Sequence, residues 1–424
     1  MFFASIILAL ISLIVSILIS IGWITEIVCY FGYFIAIYLV TFVALIPGFN
    51  YVFTFFSLLF NKNKKKKPIK CEVDVTVLVP VYNAENLIKE TLESIKNQKY
   101  NGRIYINIID DGSTDNSIKV IEDMNLDSNV TLIELKHKGK AYALNEGLKR
   151  VKTDYTITVD SDTVLHPLAI RNIMHKLVNS GKDTAATAGS LFVKNAKKSF
   201  ITKLQQWDYT LGIFGVKLVQ SGYNSTLVAQ GAFSAYKTKL VREIGGWQDC
   251  VGEDIVLTWQ LLSKGYKTNF AKNAVACTEV PENLSLLGKQ RKRWARDMIE
   301  AFERVKVYTS KKMSFKSKFL MSLNIFFPFT DLALLIFVPL GLILLAFCNP
   351  LLIGWISLLV IPLGLLLCAL IEIKRNNMMK EIDCKLERRS KLAFIFYILI
   401  YAFILSPYCL AGYISELCSS KKNW

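Results

Sequence analysis

Histidine is scarce in this chain: His137, His166 and His175 are the only three in 424 residues, too few and too scattered for a multi-histidine metal centre. The nine cysteines include no C-x-x-C pair, and Cys348 and Cys368 fall inside long apolar runs. That spacing excludes a disulfide framework and a zinc site, and it fits a reducing, cytosolic setting. No G-x-G-x-x-G and no G-x-x-x-x-G-K-[ST] occurs, so neither a dinucleotide-binding turn nor a P-loop is supported. Acidic residues are outnumbered, 34 against 51 Lys and Arg, which leaves a net charge of +17. Such an excess suits nucleic acid, an anionic membrane surface or a phosphorylated substrate. Apolar residues decide among these. They make up 52% of the chain and gather at its two ends, so the expected surface is a lipid bilayer and not nucleic acid.

From 1 to 60 the sequence is almost continuously apolar, interrupted by Glu26 and by Pro47-Gly48 and Asn50. Spans need roughly 20 residues each, so two N-terminal helices are expected, one over about 3–23 and one within 30–60. A basic linker, 61–70, follows with four consecutive lysines from Lys64 to Lys67. By the positive-inside rule this side is cytoplasmic, and two preceding spans put the N-terminus there as well.

From 71 to 283 the texture changes to alternating strands and amphipathic helices. Val73 to Pro80 reads as a buried strand and Asn83 to Lys96 as a helix with Leu87, Ile88, Leu92 and Ile95 on one face. Strands are expected again at Ile104–Ile109, Val130–Leu135 and Tyr155–Val159, with a helix at Lys140–Val151. This alternation predicts a parallel sheet flanked by helices, with ligands at the carboxyl ends of its strands. Between 185 and 280 the pattern is looser. An amphipathic, strongly basic interface segment occupies 284–318. Apolar runs return over 319–415 as two to three spans, at 319–347, 351–373 and 392–415, followed by a tail at 416–424. A simple last span would place the tail outside and a re-entrant one would keep it inside.

The chemistry gathers at strand ends. Asp160 and Asp162 stand at i and i+2, so on an ideal strand both carboxylates face one side. Like charges there call for a hard divalent cation, Mg²⁺ or Mn²⁺, holding the phosphates of a nucleotide. A polar loop capping the next helix is the plainer alternative. Around this pair lie, in order, Val79-Pro80-Val81-Tyr82-Asn83, Asp110-Asp111-Gly112-Ser113, Gly252-Glu253-Asp254 and Gln290-x-x-Arg293-Trp294. The ordered set resembles the processive membrane family 2 glycosyltransferases, which include cellulose, chitin, hyaluronan and poly-N-acetylglucosamine synthases.

That resemblance implies a GT-A (nucleotide-diphospho-sugar transferase) α/β domain with a mixed, mainly parallel sheet, inserted between transmembrane helices. It implies a nucleotide pocket of Tyr82, Asn83, Asp110 and Asp111, although Asp-Gly-Ser also commonly forms an Asx turn before a helix. Lys140 and Asp160 would lie at the nucleotide or donor sugar, and Asp162, with Asp160 as a second ligand, at the metal. Asp254 would be the general base that takes the acceptor's proton, with no second protein acid needed because the metal-bound diphosphate serves the leaving group. Glu253 is equally a residue that favours a helix N-terminus. Gln290, Glu253 and Trp294 would bind the acceptor, while Arg293 and Arg291 reach the diphosphate.

The segments Lys140–Gly147, Leu204–Tyr209 and Val280–Leu284 are most similar to poly-β-1,6-N-acetylglucosamine synthases. Two departures stand out: Gly252 replaces a threonine, and Ala295-Arg296-Asp297-Met298 stands where glycines follow the tryptophan. The expectation is an inverting synthase at the plasma membrane that extends a β-linked exopolysaccharide from a UDP-sugar and passes it through its own helices. Its partners would be the donor, the growing polysaccharide, lipid and, where the resemblance extends so far, a small membrane accessory subunit. A hyaluronan-, chitin- or cellulose-type synthase, a non-processive lipid glycosyltransferase, and a nucleotide-binding transporter or receptor are the alternatives.

Overall fold

The computed structural model describes residues 1–61, 72–124, 127–354 and 358–418; most of the 61–70 linker and the end of the tail lie outside these residues. Three helices open the chain, α1 (Phe2–Ile19), α2 (Ile21–Leu39) and α3 (Ile46–Phe60), the last two joined by a π-helical turn at Val40–Leu45. The apolar stretch therefore breaks after Ile19, and α2 bends at Gly32, whose φ of +75° an L side chain rarely adopts.

The central sheet has eight strands: β1 (Val75–Val81), β2 (Ile104–Asp110), β3 (Val130–Glu134), β4 (Tyr155–Val159), β5 (Thr163–Leu165), β6 (Thr184–Val193), β7 (Phe233–Lys237) and β8 (Lys267–Thr278). Their spatial order is β3-β2-β1-β4-β7-β6-β8-β5. β1 to β4 pair in parallel, β7 runs antiparallel to both β4 and β6, and β5 runs antiparallel to β8. All seven residues of β1 are buried, as a central parallel strand covered on both faces requires. Strand order reverses between β1 and β4. The carboxyl ends of β1, β2 and β4 thus open at a switch point, where a crevice forms.

The helices of this domain are α4 (Ile88–Lys96), α5 (Ser117–Glu122), α6 (Lys140–Lys149), α7 (Ala169–Val178), α8 (Phe200–Asp208), α9 (Gly215–Gly222), α10 (Thr238–Glu243) and α11 (Glu253–Ser263). The first helix starts later than Asn83 because residues 83–85 are held in a loop. Asn83 has a φ of +50°, and the N–H groups of Asn83, Ala84 and Glu85 donate to Ser113, Ser117 and Asp115.

After the sheet come α12 (Leu284–Arg304), α13 (Phe315–Leu323), α14 (Phe327–Ala346), α15 (Val360–Glu381), α16 (Lys391–Phe396) and α17 (Ala402–Leu417). Asn283 caps α12 by accepting from the Leu286 N–H. Among the described residues four helical segments are long and apolar enough to cross a membrane: Phe2–Ile19, Ile21–Phe60, Phe315–Ala346 and Lys391–Leu417. The 351–373 segment behaves differently from a simple span. α15 continues to Glu381, and Met378 and Met379 pack into the same core as Phe270 of β8. Residues 355–357 of that segment lie outside the described ones.

α12 is clamped to α17. A Cβ at Gly288 would sit 2.3 Å from the Tyr408 ring, and one at Gly412 would meet the Lys292 carbonyl at 2.5 Å, so both glycines allow close approach. Arg296 and Glu416 form a buried ion pair across this joint at 2.9 Å.

Candidate active site

One side of the crevice is built at the ends of β1 and β2. Asp110 accepts from the N–H groups of Gly112 and Ser113, an Asx turn that sharpens the chain after β2. Asp111 is buried, and its two oxygens accept from the N–H groups of Lys138 and Gly139 at 2.9 and 2.8 Å. Its carboxylate thus holds the turn that delivers Lys140. Asn83 is engaged in the same way, accepting from the Thr114 N–H at 2.8 Å. Tyr82 is exposed and stacks on His137 with ring centroids 4.3 Å apart. His137 in turn approaches Asp111 to 2.9 Å through Nδ1.

Asp160 follows β4 directly. Lys140 Nζ lies 2.5 Å from its Oδ1 and 3.5 Å from Glu253 Oε1. Burial alone would pull the Lys140 ammonium down, but Asp160 and Glu253 outweigh it and hold the group above its ordinary value. Glu253 moves up, first through burial and then through Asp254 and Asp160, with Lys140 opposing. Asp162 also moves up, through burial and the neighbouring Asp160 charge. Its Oδ1 accepts from Thr163 and Thr278 at 3.0 and 3.1 Å.

Two neighbouring oxygen-donor carboxylates, Asp160 and Asp162, the second oriented by two hydroxyls, fit a hard divalent cation such as Mg²⁺ or Mn²⁺. Among the described residues no group of three or more His, Cys, Asp or Glu side chains gathers.

Asp254 is the second residue of α11. Its Oδ2 accepts from the Gly231 N–H at 3.0 Å and its Oδ1 from the Ile255 N–H at 2.7 Å, which fixes the carboxylate in one orientation. Gly231 is also where Lys140 passes: a Cβ there would stand 2.7 Å from Nζ. The strand-end aspartates and the α11 N-terminus therefore form one site joined by Lys140.

α12 closes the other side. Gln290 and Trp294 lie on one face at i and i+4. Arg293 is exposed. Arg291 is placed differently from the expectation that it reaches a diphosphate: it is buried, paired with Asp208 at 2.7 Å, and its guanidinium lies over the Trp294 ring at 3.9 Å. The reason is packing: Asp208, the last residue of α8, takes the guanidinium in a buried ion pair.

Four residues near the site had no assigned role in the sequence: His137, Asp208, Lys217 and Asp297. Lys217 is buried on α9 and pulled down to about 7 by that burial, with Asp254 opposing. Nothing in the local pattern around Lys217 marks it. Asp297 is pushed well above its ordinary value by burial and by Asp254, with Arg293 opposing. It does carry a signal, standing where the resemblance leads one to expect glycine.

Residues 73–297 match the family model described as glycosyltransferase like family 2. The poly-β-1,6-N-acetyl-D-glucosamine synthase of Staphylococcus aureus (strain MSSA476) is 31% identical over 279 residues, 65% of this chain and 67% of that protein. The synthase of the same name from Staphylococcus epidermidis is 31% identical over 253 residues, 59% of this chain and 61% of that protein. In structure, the chain is similar to a mannosyltransferase from Pyrobaculum calidifontis in complex with GDP-Man and Mn²⁺. The TM-score is 0.60 at 19% identity, covering 89% of this chain and 96% of that one, and the shared architecture is the GT-A fold.

Proposed function

The chain belongs to the glycosyltransferase like family 2, and from that premise we propose that it is an inverting, processive synthase that extends a β-linked N-acetylglucosamine polymer from UDP-N-acetylglucosamine. The relatives named above act as poly-β-1,6-N-acetyl-D-glucosamine synthases and support this choice of sugar. The observation that carries the reading is the Lys140 bridge. One ammonium touches Asp160 on the donor side and Glu253 beside the base on the acceptor side, so a single crevice serves both substrates.

In this reading Asp254 receives the proton of the acceptor hydroxyl as its oxygen bonds to the anomeric carbon. The bond from that carbon to the diphosphate oxygen breaks on the opposite face, and UDP leaves. Lys140 balances the carboxylates that flank the reacting centre, and the exposed Arg293 guanidinium meets the departing diphosphate. Asp162 and Asp160 would hold Mg²⁺ or Mn²⁺, which supplies charge neutralisation for the leaving group. Trp294 gives the terminal acceptor sugar an aromatic face to stack on.

The catalytic domain faces the cytosol in a multi-pass plasma-membrane protein, with the basic linker inside, and the product leaves through the helices that clamp α12. A panel of UDP-sugars offered with Mg²⁺ or Mn²⁺ to the full chain in lipid, with product sizing and glycosidase digestion, tests this. Long β-linked N-acetylglucosamine products are expected. A single sugar added to lipid would overturn processivity, and a preference for another UDP-sugar would overturn the substrate.

A further inference from the structure

On α12, Gln290, Trp294 and Asp297 fall at i, i+4 and i+7, so all three share one helix face. Gln290 Oε1 and Asp297 Oδ1 are buried oxygens with no hydrogen-bond partner among the described residues. They lie on either side of the indole along the helix. Buried acceptors without donors cost free energy that an incoming ligand's donors recover. Two acceptors flanking an aromatic ring suit a pyranose, which offers C–H bonds to a ring face and O–H or amide N–H donors around its rim.

Asp297 is also tied to the base. A Cβ at Gly252 would stand 2.6 Å from Asp297 Cβ and 3.0 Å from its Cα. Gly252 is the N-cap of α11, two residues before Asp254. The Cβ of a threonine at 252 would collide with the Cβ of Asp297. The two departures noted in the sequence, glycine at 252 and aspartate at 297, are therefore one exchange of bulk across a helix joint, and it leaves a carboxyl beside Asp254. Glu300 secures the joint separately, accepting from the Val251 N–H at 2.9 Å.

We propose that Asp297 is an acceptor-binding residue that, with Gln290 on the other side of Trp294, takes a hydroxyl or amide N–H of the growing chain's terminal sugar and turns its nucleophilic hydroxyl toward Asp254. This rests on the function proposed above and assigns the acceptor subsite a further residue.

The test uses the full chain in lipid, a short β-linked N-acetylglucosamine oligosaccharide as acceptor, and Asp297→Gly and Asp297→Asn variants. For Asp297→Gly the acceptor KM should rise about tenfold, the loss of one strong hydrogen bond. Donor KM and acceptor-independent hydrolysis of the UDP-sugar should stay within about twofold of wild type, since neither uses this contact. Asp297→Asn keeps the shape and one acceptor oxygen, and should raise acceptor KM by about threefold. If Asp297→Gly does not fold, the Asp297→Asn result decides. A wild type that transfers sugar while neither variant raises acceptor KM overturns the inference alone, as does a parallel shift in acceptor and donor constants. A wild type that transfers to no acceptor overturns the proposed function and this inference with it.

Discussion

Arg291 reaches Asp208 across 2.7 Å while its guanidinium covers the Trp294 ring at 3.9 Å, so that ring is set by an ion pair that crosses from α12 to α8. Tyr401 donates to the same Asp208 oxygen at 3.2 Å, which brings the last long apolar helical segment, Lys391–Leu417, into the arrangement. Asp208→Ala leaves the Arg291 charge buried without its partner, a change expected to cost about 3–5 kcal/mol. Thermal unfolding in lipid should show the loss. In the milder Asp208→Asn variant, acceptor KM should rise while UDP affinity holds, because only the tryptophan side is loosened. Equal losses on both substrates would mean that the pair supports the whole domain and not the ring.

The Asp254 carboxylate is fixed by the Gly231 and Ile255 N–H groups, an orientation that an amide in its place can keep only in part. Asp254→Asn should lower kcat by about 10²–10⁴, the usual contribution of a general base, and leave UDP binding intact. Turnover measured beside calorimetric UDP affinity checks both halves. Normal turnover would move the base to another group.

Much of this was legible in the sequence, and the reasons for the remainder are physical. β1, β2 and β4 were readable because each is rich in Val and Ile, broken only by isolated polar residues such as Thr76, Asn107, Thr156 and Thr158, and leads into the site residues. β6 was not. Its ten residues are all buried, and Thr-Ala-Ala-Thr-Ala-Gly leaves neither alternation nor bulk to read. The small residues are there because β6 lies against Phe233: a Cβ at Gly189 would be 2.2 Å from that ring. At the site, Asp160, Asp162, Asp254 and Trp294 could be found because short motifs carry them. The role of Arg291 could not, since its partner Asp208 is distant in sequence and only the packing of α12 on α8 brings them together.

Asp162 is oriented by two hydroxyls on one oxygen, Thr163 and Thr278, and those two also contact each other at 3.1 Å. Asp162→Ala should abolish the Mn²⁺ dependence of UDP binding, and chelation of the metal should do the same to the wild type. Thr278→Val removes one orienting hydroxyl and should weaken metal-dependent UDP binding by about tenfold, the scale of an outer-shell contact. Titration of UDP at several Mn²⁺ concentrations measures each effect. Unchanged metal dependence in Asp162→Ala would assign the cation elsewhere.

Asp297 also makes the stability of the ligand-free protein depend on pH in a defined direction. Burial first, then Asp254, Glu253 and Glu300, raise its carboxyl well above the ordinary value, and Arg293 only partly opposes them. A carboxyl raised in the folded state binds its proton more tightly folded than unfolded, so its contribution to stability grows as pH falls. Above the folded value the ionised group costs stability, and below the ordinary carboxylate range that cost is gone. Asp297→Asn should therefore unfold at a higher temperature than wild type near neutral and mildly alkaline pH, with the difference shrinking on acidification. Thermal unfolding in lipid across this range measures it, and a difference that stays constant or grows on acidification would count against the buried, carboxylate-crowded setting. A costly acid kept beside Asp254 is what a binding role predicts, because sites that recognise a substrate commonly give up stability to hold groups the folded chain alone would not choose.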